Sequence, residues 1–163
     1  MKNYQQSLSI KASPAAVYTA LTTIDGMRAW WTQDCEGGTS IGDTLKFRFS
    51  ACYKDMRIEK LQPDNEVSWL CTRAYIVAES VSRTDEWVGT YIVFRISDAG
   101  MGGTQLDLEH IGLLPSLQCY ALCQNGWQRF LASLQQFLET GTGTPFAMAS
   151  QPQTLSTQRR AAA

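Results

Sequence analysis

The chain has 163 residues, 44% of them hydrophobic, and its 14 basic and 15 acidic side chains leave a net charge of −1. This length predicts a single domain that buries about 70% of the surface of its unfolded chain. The balanced charge, with no run of Lys or Arg in the folded part, argues against DNA or RNA as a partner.

The N-terminal sequence MKNYQQSLSI is polar. No apolar run in the chain approaches the roughly 18 residues of a membrane span, and none resembles the apolar core of a signal peptide. The sequence therefore predicts a cytoplasmic protein that does not contact a membrane.

The chain begins with a predicted strand and helix. Residues 4–10 alternate with the period of a strand. Ser13 and Pro14 then mark a helix start, because a hydroxyl caps free N–H groups and proline fits the first helical position. This first helix is expected to end near residues 25–26.

A second short helix is predicted over residues 27–31, and it carries the adjacent Trp30 and Trp31. Neighbouring residues on a helix point about 100° apart, so at most one of the two indoles is expected to be fully central to any one surface.

The middle of the chain predicts antiparallel strands. Residues 36–43 contain three glycines and predict a loop. After them, alternation of apolar and charged residues predicts three strands, the last two joined by a turn at 63–65. The strand ends between residues 74 and 86 stay open.

Two further strands precede the last helix. Residues 87–96 predict a strand whose inward parity excludes Arg95, so that Trp87 would face outward. Residues 97–103 contain an aspartate and three glycines and predict a hairpin turn. In the strand over 104–110, alternation assigns one face to Leu106, Leu108 and His110.

A long amphipathic helix, roughly 36 Å in length, is predicted from residue 116 to about residue 140. Its apolar stripe comprises Leu117, Tyr120, Cys123, Trp127, Phe130, Leu131, Leu134, Phe137 and Leu138. Gly141 and Pro145 end it. The sequence thus predicts one α+β domain over 1–146, a curved antiparallel sheet of about six strands wrapped around this helix, followed by a polar tail over 147–163.

Several short motifs together give the chain a family resemblance. They are Ser13-Pro14-x-x-Val17, Trp30-Trp31, Glu86-Trp87-Val88-Gly89-Thr90, Gly103-Thr104 leading to His110-x-Gly112-Leu113, and Cys119-Tyr120-x-x-Cys123-x-x-Gly126-Trp127. With them the chain resembles the START-like, helix-grip superfamily, also called SRPBCC, which has the fold of the birch-pollen allergen. Within it, the chain is most similar to the group named after the activator of the heat-shock-protein-90 ATPase, C-terminal-domain type.

The resemblance covers residues 4–146 and implies a cavity for a hydrophobic ligand. The eukaryotic co-chaperone carries a separate N-terminal domain that this chain is not expected to have, so chaperone activation is not implied. Many relatives also have glycines where this chain has residues 50–55, at one end of the expected cavity.

The inward faces predict a cavity lining rich in aromatic side chains with a few polar atoms, which is the character of a ligand pocket and also of an ordinary filled core. The predicted lining consists of Trp30, Trp31, Phe47, Met56, Ile58, Trp69, Phe94, Leu106, Leu108, His110, Tyr120, Cys123 and Trp127.

His110, the only histidine, is a candidate acid/base or ligand-orienting group, although an inward histidine is more commonly a structural hydrogen-bonding residue. A Cys123–His110 nucleophilic pair is a weaker alternative, since no third orienting group is apparent. The five cysteines are expected to be reduced, buried thiols and not zinc ligands or disulfides.

Gly126 is unusual within a helix, and either close packing or space for a ligand would explain it. The function predicted from these observations is the binding of a small hydrophobic or aromatic molecule, without cofactor or metal. The alternatives are a cyclase- or hydrolase-type enzyme that uses His110, and a chaperone-associated module with a protein partner that the sequence does not mark.

Overall fold

A computed structural model of the protein describes residues 2–148. The elements follow the chain as β1 (Tyr4–Ile10), α1 (Pro14–Thr22), α2 (Ile24–Trp30), β2 (Cys35–Gly37), β3 (Thr44–Phe49), β4 (Cys52–Gln62), β5 (Glu66–Tyr75), β6 (Tyr91–Gly100), β7 (Gly103–Ile111) and α3 (Tyr120–Thr140). Apart from Ala147 and Met148, the predicted tail lies outside the described residues.

The predicted α+β fold is confirmed, with one antiparallel sheet curved around α3. The sheet has seven strands in the order β1-β7-β6-β5-β4-β3-β2. The additional strand, β2, occupies part of the region predicted as a loop, and it forms because Cys35 pairs with Phe47 on β3. The pairing of β4 with β5 has two register shifts, one with an extra residue on each strand, and such irregularities support the curvature.

The first two helices follow their local signals. The Ser13 hydroxyl accepts a hydrogen bond from the Ala16 amide at 3.1 Å, as the sequence predicts for an N-cap. The first helix ends at Thr22, three residues before the predicted end, because the Thr23 hydroxyl caps a new helix by accepting from the Gly26 amide at 3.1 Å. Helix α2 therefore begins at Ile24 and not at Met27.

Trp30 and Trp31 are both buried, since each faces different partners. The Trp30 indole donates to the Ala20 carbonyl at 2.9 Å, which ties α2 to α1. Trp31 packs against Phe47 and Trp127, with ring centroids 4.3 and 5.4 Å away.

Helix α3 begins four residues later than predicted. The amides of Gln118 and Cys119 donate to the carboxylate of Glu86 at 3.2 and 2.9 Å, so an acidic residue from the β5–β6 connection holds the turn that precedes this helix. Gly141, with φ of 89°, ends α3 in the left-handed conformation.

The segment after α3 returns across α2. The Thr144 amide donates to the Ser133 hydroxyl at 2.8 Å, and Gly143 packs against the carbonyl of Ala29. Phe146 then pairs with Thr32 in a short parallel bridge. This segment brings the Phe146 ring beside Phe49, with ring centroids 5.6 Å apart.

Trp87 is buried, and its predicted outward orientation is wrong. Strand β6 begins at Tyr91, four residues later than predicted, so Trp87 is not subject to strand alternation. It lies in a turn in which the Thr90 amide donates to the Trp87 carbonyl at 2.9 Å, and only 3% of Trp87 is exposed.

Candidate functional site

A cavity of about 330 Å³ lies between α3 and one end of the sheet. Six of its fourteen lining residues are aromatic: Trp31, Phe49, Trp87, Trp127, Phe130 and Phe146. The helix contributes a face of residues three and four positions apart, namely Leu122, Asn125, Gly126 and Arg129, and Cys52, Lys54, Ile76 and Cys123 complete the lining. Leu122 is 45% exposed, so the cavity opens to solvent along this face of α3.

Glu86 and Trp87 act together to position the wall of the cavity next to α3. Because the Glu86 carboxylate accepts from the amides just before α3, the following residue is held against the first turn of the helix. The Trp87 indole donates to the Cys123 sulfur at 3.0 Å. This bond fixes the indole against the helix and satisfies its N–H group away from water.

Gly126 lies where α3 passes the cavity. A Cβ atom built on Gly126 would have no heavy atom within 4 Å, other than those of the local helix backbone. Close packing therefore does not explain this glycine, whereas open space in the cavity does.

Lys54 supplies a basic group to this largely apolar lining. Lys54 on β4 lies opposite Phe47 on the neighbouring strand β3. Its side chain is on the same inward face as those of Met56 and Ile58. Its ammonium lies 4.2 Å from the centroid of the Phe49 ring and 4.6 Å from that of Trp87. Burial lowers the pKa of the Lys54 ammonium below its usual value.

His110 is fully buried in a closed set of hydrogen bonds and does not line the cavity. The Trp127 indole donates to its Nδ1 at 3.1 Å, and its Nε2 lies 2.9 Å from the Thr90 hydroxyl. That hydroxyl donates to the Trp87 carbonyl at 2.6 Å. Burial lowers the pKa of His110 from 6.5 to about 3, so the imidazole is neutral at physiological pH.

The thiols of this region do not form the Cys123–His110 pair. Both ring nitrogens of His110 have other partners, and the Cys123 sulfur accepts from Trp87. The neighbouring Cys119 thiol and the Trp87 N–H lower the pKa of Cys123, whereas burial raises the pKa of Cys71 to about 12. All five cysteines are free thiols.

Three of the residues predicted to line a cavity do so, namely Trp31, Cys123 and Trp127. The others do not line it; all but one are buried in the packed interior: Trp30, Phe47, Met56, Ile58, Trp69, Phe94, Leu106, Leu108 and His110. Tyr120 is half-buried in an edge contact with Tyr4. Contact between the predicted residues and a ligand stays a prediction.

The sequence reasoning missed Lys54 and Trp87, among other lining residues. Lys54 comes directly before residues 55–59, whose alternation predicts this strand, and extending the strand backward by one residue gives Lys54 the parity of Met56. Trp87 was assigned to a strand that begins only at Tyr91. Its position depends on Glu86 and Cys123, which are distant in sequence from each other.

Residues 2–148 contain neither a metal-binding cluster nor a membrane-spanning helix. That part of the chain contains no group of three or more His, Cys, Asp and Glu side chains arranged to hold a metal ion. It also contains no helix with the length and hydropathy needed to cross a membrane.

Comparison with known families gives one match, to the family described as Activator of Hsp90 ATPase homolog 1-like protein, over residues 11–139. The solution structure of the Aha1 dimer from Colwellia psychrerythraea is 36% identical in sequence, with a TM-score of 0.73. The alignment covers 88% of this chain and 100% of that one. Among curated proteins, none matches significantly.

More distant structures share the fold. Protein MLL2253 from Mesorhizobium loti is 18% identical with a TM-score of 0.65, covering 83% of this chain and 96% of that one. CalU16 from Micromonospora echinospora is 21% identical with a TM-score of 0.64, covering 86% and 75%. At these identities the likeness concerns the architecture alone.

Proposed function

The chain belongs to the Activator of Hsp90 ATPase homolog 1-like family, within the START-like fold superfamily, and from this premise we propose that it binds a small hydrophobic or aromatic molecule in the cavity beside α3. The observation that carries the proposal is the aromatic wall of that cavity. Its volume of about 330 Å³ is at the lower end of the range typical of ligand pockets.

Packing elsewhere in the domain supports this location. The interior between the sheet and α3 is filled by large side chains such as Trp69 and Phe94, which are almost completely buried. The space that remains lies at the end of the sheet near Lys54 and Trp87. Burial of ligand surface there would drive binding at about 25 cal/mol per Å² of apolar area removed from water.

Gly126→Leu tests this proposal, because a side chain at that position extends into the open space of the cavity. We expect isothermal titration calorimetry to detect binding of 2-naphthamide, a neutral aromatic probe, and the variant to weaken this binding at least tenfold. Ala132→Leu is the matched control, since Ala132 lies on an exposed position of the same helix and does not line the cavity.

Two results would contradict the proposal. One is that the unaltered protein binds neither 2-naphthamide nor 2-naphthoate, the acid with the same ring system. The other is equal affinity in the Gly126→Leu variant and its control, which would place the probe elsewhere.

An enzyme that uses His110 as its acid or base receives no support from the geometry. Both nitrogens of the imidazole are engaged, the ring is fully buried, and its pKa is about 3. General acid/base catalysis near neutral pH favours a group whose pKa lies near that pH.

Association with a protein partner is a second candidate, favoured by the dimeric state of the Colwellia psychrerythraea relative. For this chain the corresponding hypothesis is self-association. Sedimentation velocity over a concentration series tests it, with a dimer mass expected at high concentration. The mass of a single chain at every concentration would contradict self-association and leave ligand binding unaffected.

A further inference from the structure

The charge distribution in the cavity indicates which ligands it would accept. Its lining includes Lys54 and Arg129 but no aspartate or glutamate. A single amide side chain, that of Asn125, is the other strongly polar group. Most of the lining is therefore apolar, and its charged side chains are both positive.

Lys54 has no acidic partner among residues 2–148, whereas half of the twelve basic side chains in that range have one. Six basic residues form ion pairs with carboxylates: Lys46, Arg48, Arg57, Lys60, Arg83 and Arg95. Within residues 2–148, no carboxylate forms such a pair with Lys54. Asp55, its neighbour along β4, instead pairs with Lys46 at 2.7 Å.

Lys54 is half-buried, so the absence of an acidic partner affects the energy of its charge. A charge that loses contact with water is destabilised unless an opposite charge or hydrogen bonds replace the water. The faces of the Phe49 and Trp87 rings offset part of this cost through cation–π attraction. They supply no negative charge, so an anion entering the cavity would supply the missing opposite charge and favour the charged form of Lys54.

We propose that the ligand is an apolar acid, with an aromatic or aliphatic body against the ring wall and a carboxylate against the Lys54 ammonium. This inference rests on the proposed function and specifies its ligand class. Arg129 lies at the exposed face of α3, with its guanidinium 4.7 Å from the Phe130 ring centroid. It attracts an anion at the opening, where solvent and salt weaken the effect.

Matched acids and amides separate the contribution of charge from that of burial. We expect calorimetry to show that 2-naphthoate binds at least tenfold more tightly than 2-naphthamide, which has the same ring system without the charge. Benzoate and benzamide provide a smaller pair and are expected to show the same preference for the acid.

Substitution of Lys54 locates that preference. In Lys54→Met and in the polar variant Lys54→Gln, affinity for 2-naphthoate is expected to fall at least tenfold, whereas affinity for 2-naphthamide changes less than twofold. Lys60→Met is the matched control on the same strand, because Lys60 is exposed and pairs with Glu66 at 3.3 Å. It is expected to bind both probes as the unaltered protein does.

Each outcome has a distinct meaning. Equal affinity of the unaltered protein for acid and amide would overturn the inference while supporting the proposed function. Retention of the acid preference in both Lys54 variants would also overturn it. Binding of neither probe of either pair would contradict the proposed function and this inference together.

Discussion

His110 belongs to a chain of hydrogen bonds that a neutral imidazole completes. Trp127 donates to Nδ1, which must therefore lack a proton, and the proton on Nε2 points to the Thr90 hydroxyl. A second proton, on Nδ1, would point at the hydrogen of the Trp127 N–H and replace this hydrogen bond with repulsion. The hydrogen bonds and the burial thus both disfavour the charged form.

The stability of the protein is expected to depend on pH through His110. The unfolded chain takes up a proton near pH 6.5 and the folded chain only near pH 3, so stability is complete above pH 6.5 and is lost as pH falls toward 3. Between pH 7 and pH 5 this group alone should cost about 2 kcal/mol. Urea unfolding at both pH values measures the change.

His110→Gln is the comparison, because an amide can accept from Trp127 and donate to Thr90 without titrating in this range. Carboxylates such as Glu109 titrate in both proteins, so the difference between the two pH dependences isolates the histidine. Identical pH dependences would contradict a buried, neutral His110.

Gly126 on α3 and Gly143 in the segment after α3 are expected to respond oppositely to the same substitution. Gly126→Ala should stabilise the fold by about 1 kcal/mol, because the added methyl enters open space and alanine favours a helix. Gly143→Ala should destabilise it by about 2 kcal/mol, because its methyl would clash with the backbone carbonyl of Ala29 and lie 3.0 Å from that of Ser133.

Thermal or urea unfolding of the two variants measures both effects, and each serves as the control for the other. If Gly143→Ala were neutral, the segment after α3 would not be packed as described. If Gly126→Ala were destabilising, the space beside Gly126 would not be open.

Helix α3 also shows which element boundaries a sequence can specify. Its apolar stripe, including Trp127 and Leu134, has the correct spacing and predicts the helix itself. Its start at Tyr120 was not predictable from local sequence, because Glu86 satisfies the amides before it from more than 30 residues away. Cys119, the N-cap residue, makes no capping hydrogen bond with its side chain, so its identity does not mark the helix start.

At the scale of the whole molecule, the order of elements and the family motifs are sufficient to predict the α+β fold. What they do not predict is where the interior fills and where it stays open. Packing of the Phe47, Trp69 and Phe94 rings fills the centre, although sequence parity marks these residues as possible cavity walls. The open end instead depends on Trp87 and Phe146, which two connecting segments bring beside α3.

All five tryptophans of the chain form one continuous series of stacked rings. Trp31 lies within 6 Å of Trp30, Trp69 and Trp127, and Trp127 continues to Trp87 at 6.2 Å. Excitation absorbed by any of these indoles can therefore pass to its neighbours before light is emitted. The intrinsic fluorescence is a collective property of the series, and a molecule that quenches it at the cavity would dim indoles buried well beyond its reach.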